Sequence, residues 1–234
     1  MTRRRWIADE FSETRAALTG AHAAHLARTL RVRVGQAFEV ACGDCVRLAV
    51  VDSVGCDRVE FVLGDQVVES ATTPITLVLA IFKFDRMEWA IEKCTELNVT
   101  AIAPVIAQRT QKHLALAADK RVERWRRICR EAAEQARRKT PPEIADPMRL
   151  NEALSCNAEL RIVLAESERD NALSDLLGSH KGVRSLALAV GPEGGWTPRE
   201  LQAFRESQWI FASLGHRILR AETAAIVALA IARS

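Results

Sequence analysis

A mixed α/β chain in two segments is what this sequence predicts: a β-rich stretch over residues 1–70 and an open α/β domain over residues 74–234. Three observations lead there. Short alternating or apolar runs separated by turn residues fill the first segment, and continuous apolar runs alternating with helical periodicity fill the second. Between them lies Glu69-Ser70-Ala71-Thr72-Thr73-Pro74, where one pattern gives way to the other. The 234 residues, 48% of them hydrophobic, suffice for one small and one larger core.

In the first segment, residues 37–41, 47–51 and 58–63 read as strands, set apart by the turn formers Cys42-Gly43-Asp44-Cys45 and Asp52-Ser53-Val54-Gly55. A short helix is expected over 21–30. In the second segment, residues 75–82, 101–106, 160–165 and 185–190 are apolar on both faces, as strands of a covered parallel sheet are. Met87, Ala90, Ile91, Cys94 and Leu97, spaced by three and four, predict a helix over 85–97 with one buried stripe. Residues 119–138 predict a long Arg-rich helix with Val122, Trp125 and Cys129 inward, stopped by Pro141-Pro142 because proline lacks the amide proton a helix interior needs. Strands alternating with helices in this way imply right-handed crossovers.

The net charge of +3 does not by itself argue for a nucleic-acid partner. The distribution says more, since basic residues gather at 3–5, at Arg28, Arg31 and Arg33, and over 120–139. Solvated faces are the competing explanation for each cluster. No apolar run approaches the roughly 20 residues needed to span a bilayer. The basic start also passes directly into Asp9 and Glu10, unlike a signal peptide. The six cysteines are scattered, as reduced thiols of a cytoplasmic protein are. A zinc site assembled from Cys42, Cys45, Cys56, His22 and His25 is set aside: Gly43-Asp44 serves a hairpin turn and no second C-x-x-C completes a ligand set. No metal is expected.

The strongest local signal is Ala189-Val190-Gly191-Pro192-Glu193-Gly194-Gly195-Trp196, followed by Thr197-Pro198-Arg199-Glu200. An apolar strand ends in a glycine-rich loop. A helix then opens with Thr197 as N-cap, Pro198 at its first position and Glu200 completing a capping box. At the carboxyl end of a parallel strand, such a loop is where open α/β sheets bind ligands, although a purely structural turn would read the same locally. The glycines lack dinucleotide-binding spacing and no P-loop lysine follows, so a nucleoside ligand without phosphate fits better. A second signal, Leu214-Gly215-His216-Arg217-Ile218-Leu219-Arg220-Ala221-Glu222-Thr223-Ala224, crowds two arginines and a carboxylate into one turn before an apolar C-terminal helix. A salt-bridge cluster and a catalytic cluster explain it equally well. Of the five tryptophans (Trp6, Trp89, Trp125, Trp196 and Trp209), most are expected to pack in core or loops, and Trp196 alone is a candidate for lining a site.

These two motifs together resemble the C-terminal signature of the RsmE-type 16S ribosomal RNA uridine-N3 methyltransferases of the SPOUT class. Upstream, Lys83-Phe84-Asp85-Arg86-Met87 and Glu92-Lys93-Cys94-Thr95-Glu96-Leu97-Asn98-Val99 resemble that family's K-G-D-R-M and Q-K-A-T-E-L-G-V. Glu131-Ala132-Ala133-Glu134-Gln135-Ala136-Arg137 is similar to its E-A-A-E-Q-S-x-R, and the stretch from His25 to Gly35 to its H-x-x-x-V-L-R-x-x-x-G-D. The resemblance runs nearly end to end. Asn98 stands where glycine is usual, Ala136 where serine is, and Gln36 where aspartate is.

The resemblance implies a PUA-like β-barrel over 1–70, a SPOUT α/β-knot methyltransferase domain over 74–234, a homodimer, S-adenosylmethionine as cofactor and 16S ribosomal RNA or the small subunit as partner, with no membrane involvement. Around the cofactor it places Leu164, Ala165 and Glu166; Val190, Gly191, Pro192, Glu193, Gly194 and Gly195; and Leu214, Gly215, Ile218, Leu219, Arg220 and Ala224. Methylating a uracil imide nitrogen requires that the imide proton leave. An arginine is no base, but Arg220 or Arg217 suits negative charge developing on the uracil oxygens. Glu222 is then the nearest carboxylate to take the proton or orient an arginine, with a purely structural pairing to Arg217 or Arg220 as its competing role; Glu193 is the weaker candidate. Arg3, Arg5, Arg28 and Arg31 are expected to grip RNA phosphates. The rival functions are a non-catalytic, dimeric RNA-binding protein, separable by cofactor binding, and a methyltransferase acting on another RNA position.

Overall fold

The computed structural model describes residues 5–67 and 72–234. Arg3 therefore lies outside the described residues. The chain divides into two compact units, one holding the described residues up to 71 with 130–141 and the other holding 72–129 with 142–234.

The first unit is built on β1 (Arg5–Ile7), β2 (Glu10–Phe11), β3 (Arg15–Thr19), β4 (Ala37–Cys42), β5 (Cys45–Val54) and β6 (Arg58–Val67), in the sheet order β1-β4-β5-β6-β3-β2. Val59, Phe61 and Leu63 alternate inward on β6 and meet Trp6, Leu18, Leu26, Val40 and Val51 in one core. The amides of the adjacent residues Ala8 and Asp9 donate to Ala41 on β4 and Ala17 on β3. Those strands lie on opposite sides of the sheet, so this link curls it on itself. The helix expected over 21–30 is divided into α1 (Gly20–Ala24) and a π-helical turn, His25–Leu30, which Arg31 ends in the left-handed conformation (φ 51). Gln36 fills the usual aspartate position with a side chain that does a turn's work: its Oε1 accepts from the Arg33 amide at 3.0 Å.

Arg5 corrects an expectation. It is only 5% exposed, and its Nη2 donates to Glu39 Oε2 at 2.8 Å, while Glu39 Oε1 accepts from Arg137 at 2.6 Å. A buried guanidinium committed to a partly buried carboxylate braces the core and offers no surface for phosphate.

The second unit contains β7 (Ile75–Ala80), α2 (Phe84–Glu96), β8 (Ala101–Ile106), α3 (Lys112–Ala117), α4 (Val122–Gln135, of which residues up to 129 belong here), β9 (Glu143–Ile144), β10 (Met148–Arg149) and α5 (Leu150–Ala153). It continues with β11 (Leu160–Leu164), α6 (Leu173–Ser179), β12 (Leu186–Val190), α7 (Pro198–Glu206), β13 (Ile210–Ala212) and α8 (Ala221–Arg233). The strands run β10-β8-β7-β12-β11-β13 with β9 beside β8, and the recorded pairings are all parallel. Side chains alternate across β7: Ile75, Leu77 and Leu79 pack with Met87, Trp125 and Leu229, whereas Val78 and Ala80 pack with Trp196, Phe204 and Trp209. Both faces are thus covered, which is why the longer strands of this sheet are predominantly apolar.

Two helix ends show their cause. Asn98 adopts φ 63 just past α2, and the Val99 amide donates to the Cys94 carbonyl at 3.1 Å, the pattern glycine usually serves and asparagine tolerates. The helix expected to run from 119 to 138 begins as a 3-10 turn, Asp119–Arg121, and stops at Gln135. Arg137 turns left-handed (φ 59) and the Arg138 amide caps the Ala133 carbonyl at 2.8 Å, ahead of the prolines. No helix among the described residues is long and apolar enough to cross a membrane.

The thiols differ in reactivity. Burial and the neighbouring Cys129 push Cys94 up to about 12, and burial raises Cys42 to about 11, while Cys56 is exposed. Because the thiolate is the nucleophile, a disulfide reagent at pH 8 is expected to modify Cys56 in the native protein, and Cys94 only after denaturation. Mass mapping of the labelled peptides checks this; early labelling of Cys94 would contradict its burial.

Candidate active site

Strand β12 is buried along its whole length and delivers Val190 to the glycine-rich loop. The Gly195 amide donates to the Pro192 carbonyl at 2.8 Å, and Gly195 takes φ +69, a conformation side chains resist. A Cβ on Gly191 would lie 3.2 Å from Nε1 of Trp196, so the indole rests directly on that glycine. Trp196 in turn packs edge-on against Phe204 (4.9 Å between centroids), and Phe204 against Trp209 (5.3 Å). Thr197 and Glu200 form the expected capping box at the start of α7, with Pro198 at its first position. Glu200, 3% exposed, does more than cap: its Oε1 accepts from the Gln108 amide at 2.7 Å, tying the loop after β8 to the loop after β12.

Two further loops meet this one. After β11, the Ala165 amide donates to the Ala212 carbonyl at 3.0 Å, and Ser213 and Asn171 bond beyond it. Glu168 folds that loop around itself, its Oε1 accepting from the amides of Asp170, Asn171 and Arg169 at 2.9, 3.1 and 3.1 Å. Those bonds, that from Asp170 foremost, hold its carboxyl below the usual range. After β13 the chain turns through Gly215 (φ +102) and leaves Ile218 81% exposed before α8 begins.

The three loops enclose a cavity of about 290 Å³ at the carboxyl ends of β11, β12 and β13. That is near the lower end of the roughly 300–1,000 Å³ typical of small-molecule sites, and it lies where parallel sheets bind ligands. Residues 164–167, 190–196 and 212–219 line it, with Arg109, Arg169, Leu201, Ala221 and Ala224. Of the residues expected around a cofactor, Leu164, Ala165, Glu166, Val190, Gly191, Pro192, Glu193, Gly194, Gly195, Leu214, Gly215, Ile218, Leu219 and Ala224 are on this wall, and so is Trp196. Arg220 is not among them: it is exposed at the N-cap of α8.

Glu222 is also off the wall. It is 4% exposed, and its Oε1 accepts from Nη1 of Arg86, on α2, at 3.0 Å. Its partner is thus neither Arg217 nor Arg220, the two the sequence suggests. Oε2 of Glu222 and the indole N–H of Trp196 are buried without a hydrogen-bond partner among the described residues. Arg28 and Arg31, in the first unit, are exposed. Among the described residues no three His, Cys, Asp or Glu side chains cluster as metal ligands. Arg109 and Arg169 escape sequence reasoning. For Arg109 the available signal is its place just after strand 101–106, since every loop at that end of a parallel sheet is a candidate.

Residues 69–233 match the model of a family described as an RNA methyltransferase domain. The chain is 32% identical over 226 residues to ribosomal RNA small subunit methyltransferase E of Synechocystis, covering 95% of this chain and 74% of that one. With the Bacillus subtilis protein of the same name it shares 31% identity, covering 91% and 87%. Among solved structures, that of ribosomal RNA small subunit methyltransferase E from Neisseria gonorrhoeae, bound to S-adenosylmethionine, superposes with a TM-score of 0.85 at 30% identity, covering 97% and 95%. A Legionella pneumophila protein classed as a methyltransferase, also with bound S-adenosylmethionine, gives 0.84 at 27% identity, covering 100% and 98%.

Proposed function

We infer the reaction from one premise, that the chain belongs to the ribosomal RNA small subunit methyltransferase E family: it is an S-adenosylmethionine-dependent methyltransferase of ribosomal RNA. The finer reading is methylation of N3 of one uridine in 16S RNA. In that reading the first unit is a PUA-like barrel that grips RNA, the second a knotted SPOUT domain, and the working form a homodimer. The single observation that carries the site is the convergence of three loops on one cavity at the carboxyl ends of adjacent parallel strands.

The residues fit the cofactor. Gly191 leaves room against an indole that a Cβ would strike, and the unpartnered N–H of Trp196 on the cavity wall offers a donor. When bound, S-adenosylmethionine supplies a methyl group activated by its sulfonium. The chain's own task is to hold the uracil N3 in line with that methyl and to stabilise the uracil once its proton has gone. Arg217, on the wall, suits charge on the uracil oxygens; Arg220, exposed one residue before α8, suits the RNA strand beside it. Glu222 serves as a positioning residue, because its bond to Arg86 fixes the first turn of α8, from which Ala221 and Ala224 reach the cavity.

Purified protein incubated with methyl-labelled S-adenosylmethionine and 16S RNA or small subunits tests the reading. One N3-methyluridine per RNA is expected on nucleoside analysis; label in another nucleoside would refute the N3 assignment. Failure to bind S-adenosylmethionine, even with RNA present, would favour the non-catalytic alternative.

Arg28 and Arg31 are the cations proposed to meet phosphate. Neutralising both to glutamine is expected to weaken RNA binding and to flatten the salt dependence by about 1.4–1.8 in slope, from roughly 0.7–0.9 per lost contact. Cofactor affinity should stay put. An unchanged slope would remove these residues from the RNA interface.

A further inference from the structure

We propose that Arg109 joins Arg217 in stabilising the deprotonated target base, a role separate from holding the cofactor; this rests on the methyltransferase reading above. Three guanidinium groups, Arg109, Arg169 and Arg217, line the cavity, and no ion pair to any of them is recorded among the described residues. Glu166 and Glu193 line it as well, leaving an excess of one positive charge. A sulfonium is itself a cation, so this surplus is unhelpful to the cofactor's reactive centre. It suits an anion arriving beside it.

Arg109 is the arginine whose position is built. Its loop leaves β8 through a turn in which the Ala107 amide donates to Thr110 Oγ1 at 3.1 Å and Thr110 Oγ1 donates to the Ile81 carbonyl at 2.9 Å. The next amide, that of Gln108, is held by buried Glu200. The Arg109 stem then lies on the glycine loop: a Cβ on Gly194 would stand 3.2 Å from its Cδ. Nη1 donates to the Gly194 carbonyl. One of five donors is thereby used to fix the fork, and no partner is recorded for the rest, which remain exposed. A guanidinium ordered before the substrate arrives spends little entropy on meeting it.

The chemistry uses such a group once. The uracil N3 gives its proton to water, which leaves negative charge over N3 and the two flanking carbonyl oxygens. The N3 lone pair forms the new N–C bond as the C–S pair returns to sulfur, and the base becomes neutral. Arg109 stabilises the charge between those two events.

Four measurements on Arg109→Gln and Arg109→Lys test the assignment. S-adenosylmethionine affinity should change less than about threefold, while kcat on 16S RNA falls about 10²-fold in the glutamine variant, the usual cost of losing one such donor. The acid limb of its pH–rate profile should move to higher pH. RNA carrying 5-fluorouridine, whose imide is more acidic, should restore the glutamine variant more than it accelerates the unaltered enzyme, with lysine intermediate. Loss of cofactor affinity in step with rate would overturn the proposal and make Arg109 a brace or a carboxylate anchor for the cofactor. Unchanged kcat, or no preferential rescue by fluorouridine, would overturn it too. Failure of the underlying methyltransferase reading looks different, since the unaltered enzyme would then methylate no RNA.

Discussion

Replacing Gly191 by valine is expected to weaken S-adenosylmethionine binding at least about 100-fold, or about 2.7 kcal/mol. A Cβ there would stand 3.2, 3.3 and 3.4 Å from three atoms of the Trp196 indole, and valine adds two methyl groups beyond it. The indole has nowhere to retreat, because Phe204 packs against it and Trp209 packs against Phe204. Overpacking of this kind also costs roughly 1–3 kcal/mol of stability. Calorimetric titration of a variant first shown to be folded separates the two effects. Binding within threefold of the unaltered protein would mean that the glycine loop does not shape the cofactor site.

Replacing Arg86 by methionine is expected to cost up to about 3 kcal/mol in urea unfolding. The change strands Glu222, whose second oxygen already lacks a partner, in an interior where it is 4% exposed. The figure sits at the low end for a broken buried pair because the Arg86 side chain is 32% exposed and water offsets part of the loss. Methyl transfer should fall too, since the first turn of α8 loses its anchor beside Ala221 and Ala224. Adding Glu222→Leu should recover most of the stability, because no uncompensated charge then remains. A double variant as unstable as the single one would show that Arg86 contributes by packing alone.

The parts of this protein that are legible in its sequence are those set by local chemistry. Four of the parallel strands, β7, β8, β11 and β12, announce themselves because a sheet covered on both faces leaves few positions polar. The capping box of α7 lies within Thr197-Pro198-Arg199-Glu200, and the glycine loop lies immediately before it. Even the departure at Asn98 is interpretable, since asparagine is the side chain that best replaces glycine at φ 63.

What escapes is set by partners distant in the chain. Glu222 finds Arg86 across 136 positions, nearer candidates notwithstanding, and nothing in a linear turn shows which arginine a buried carboxylate meets. Arg5 reads as one of a surface cluster and is in fact buried against Glu39, 34 residues on. Strands β1 to β3 are two to five residues long, too short for alternation to be distinguished from chance. Arg109 reaches the site on a loop that Glu200, 92 residues after Gln108, helps to hold in place.

Quantitative mass spectrometry of 16S RNA, from cells lacking the gene and from the same cells supplied with either the unaltered protein or Gly191→Val, tests the central claim most directly. A single N3-methyluridine should vanish with the gene, return in full with the unaltered protein and stay largely absent with the variant. Persistence of every N3-methyluridine without the gene, or full restoration by a stably folded Gly191→Val, would contradict a methyl transfer carried out from this cavity.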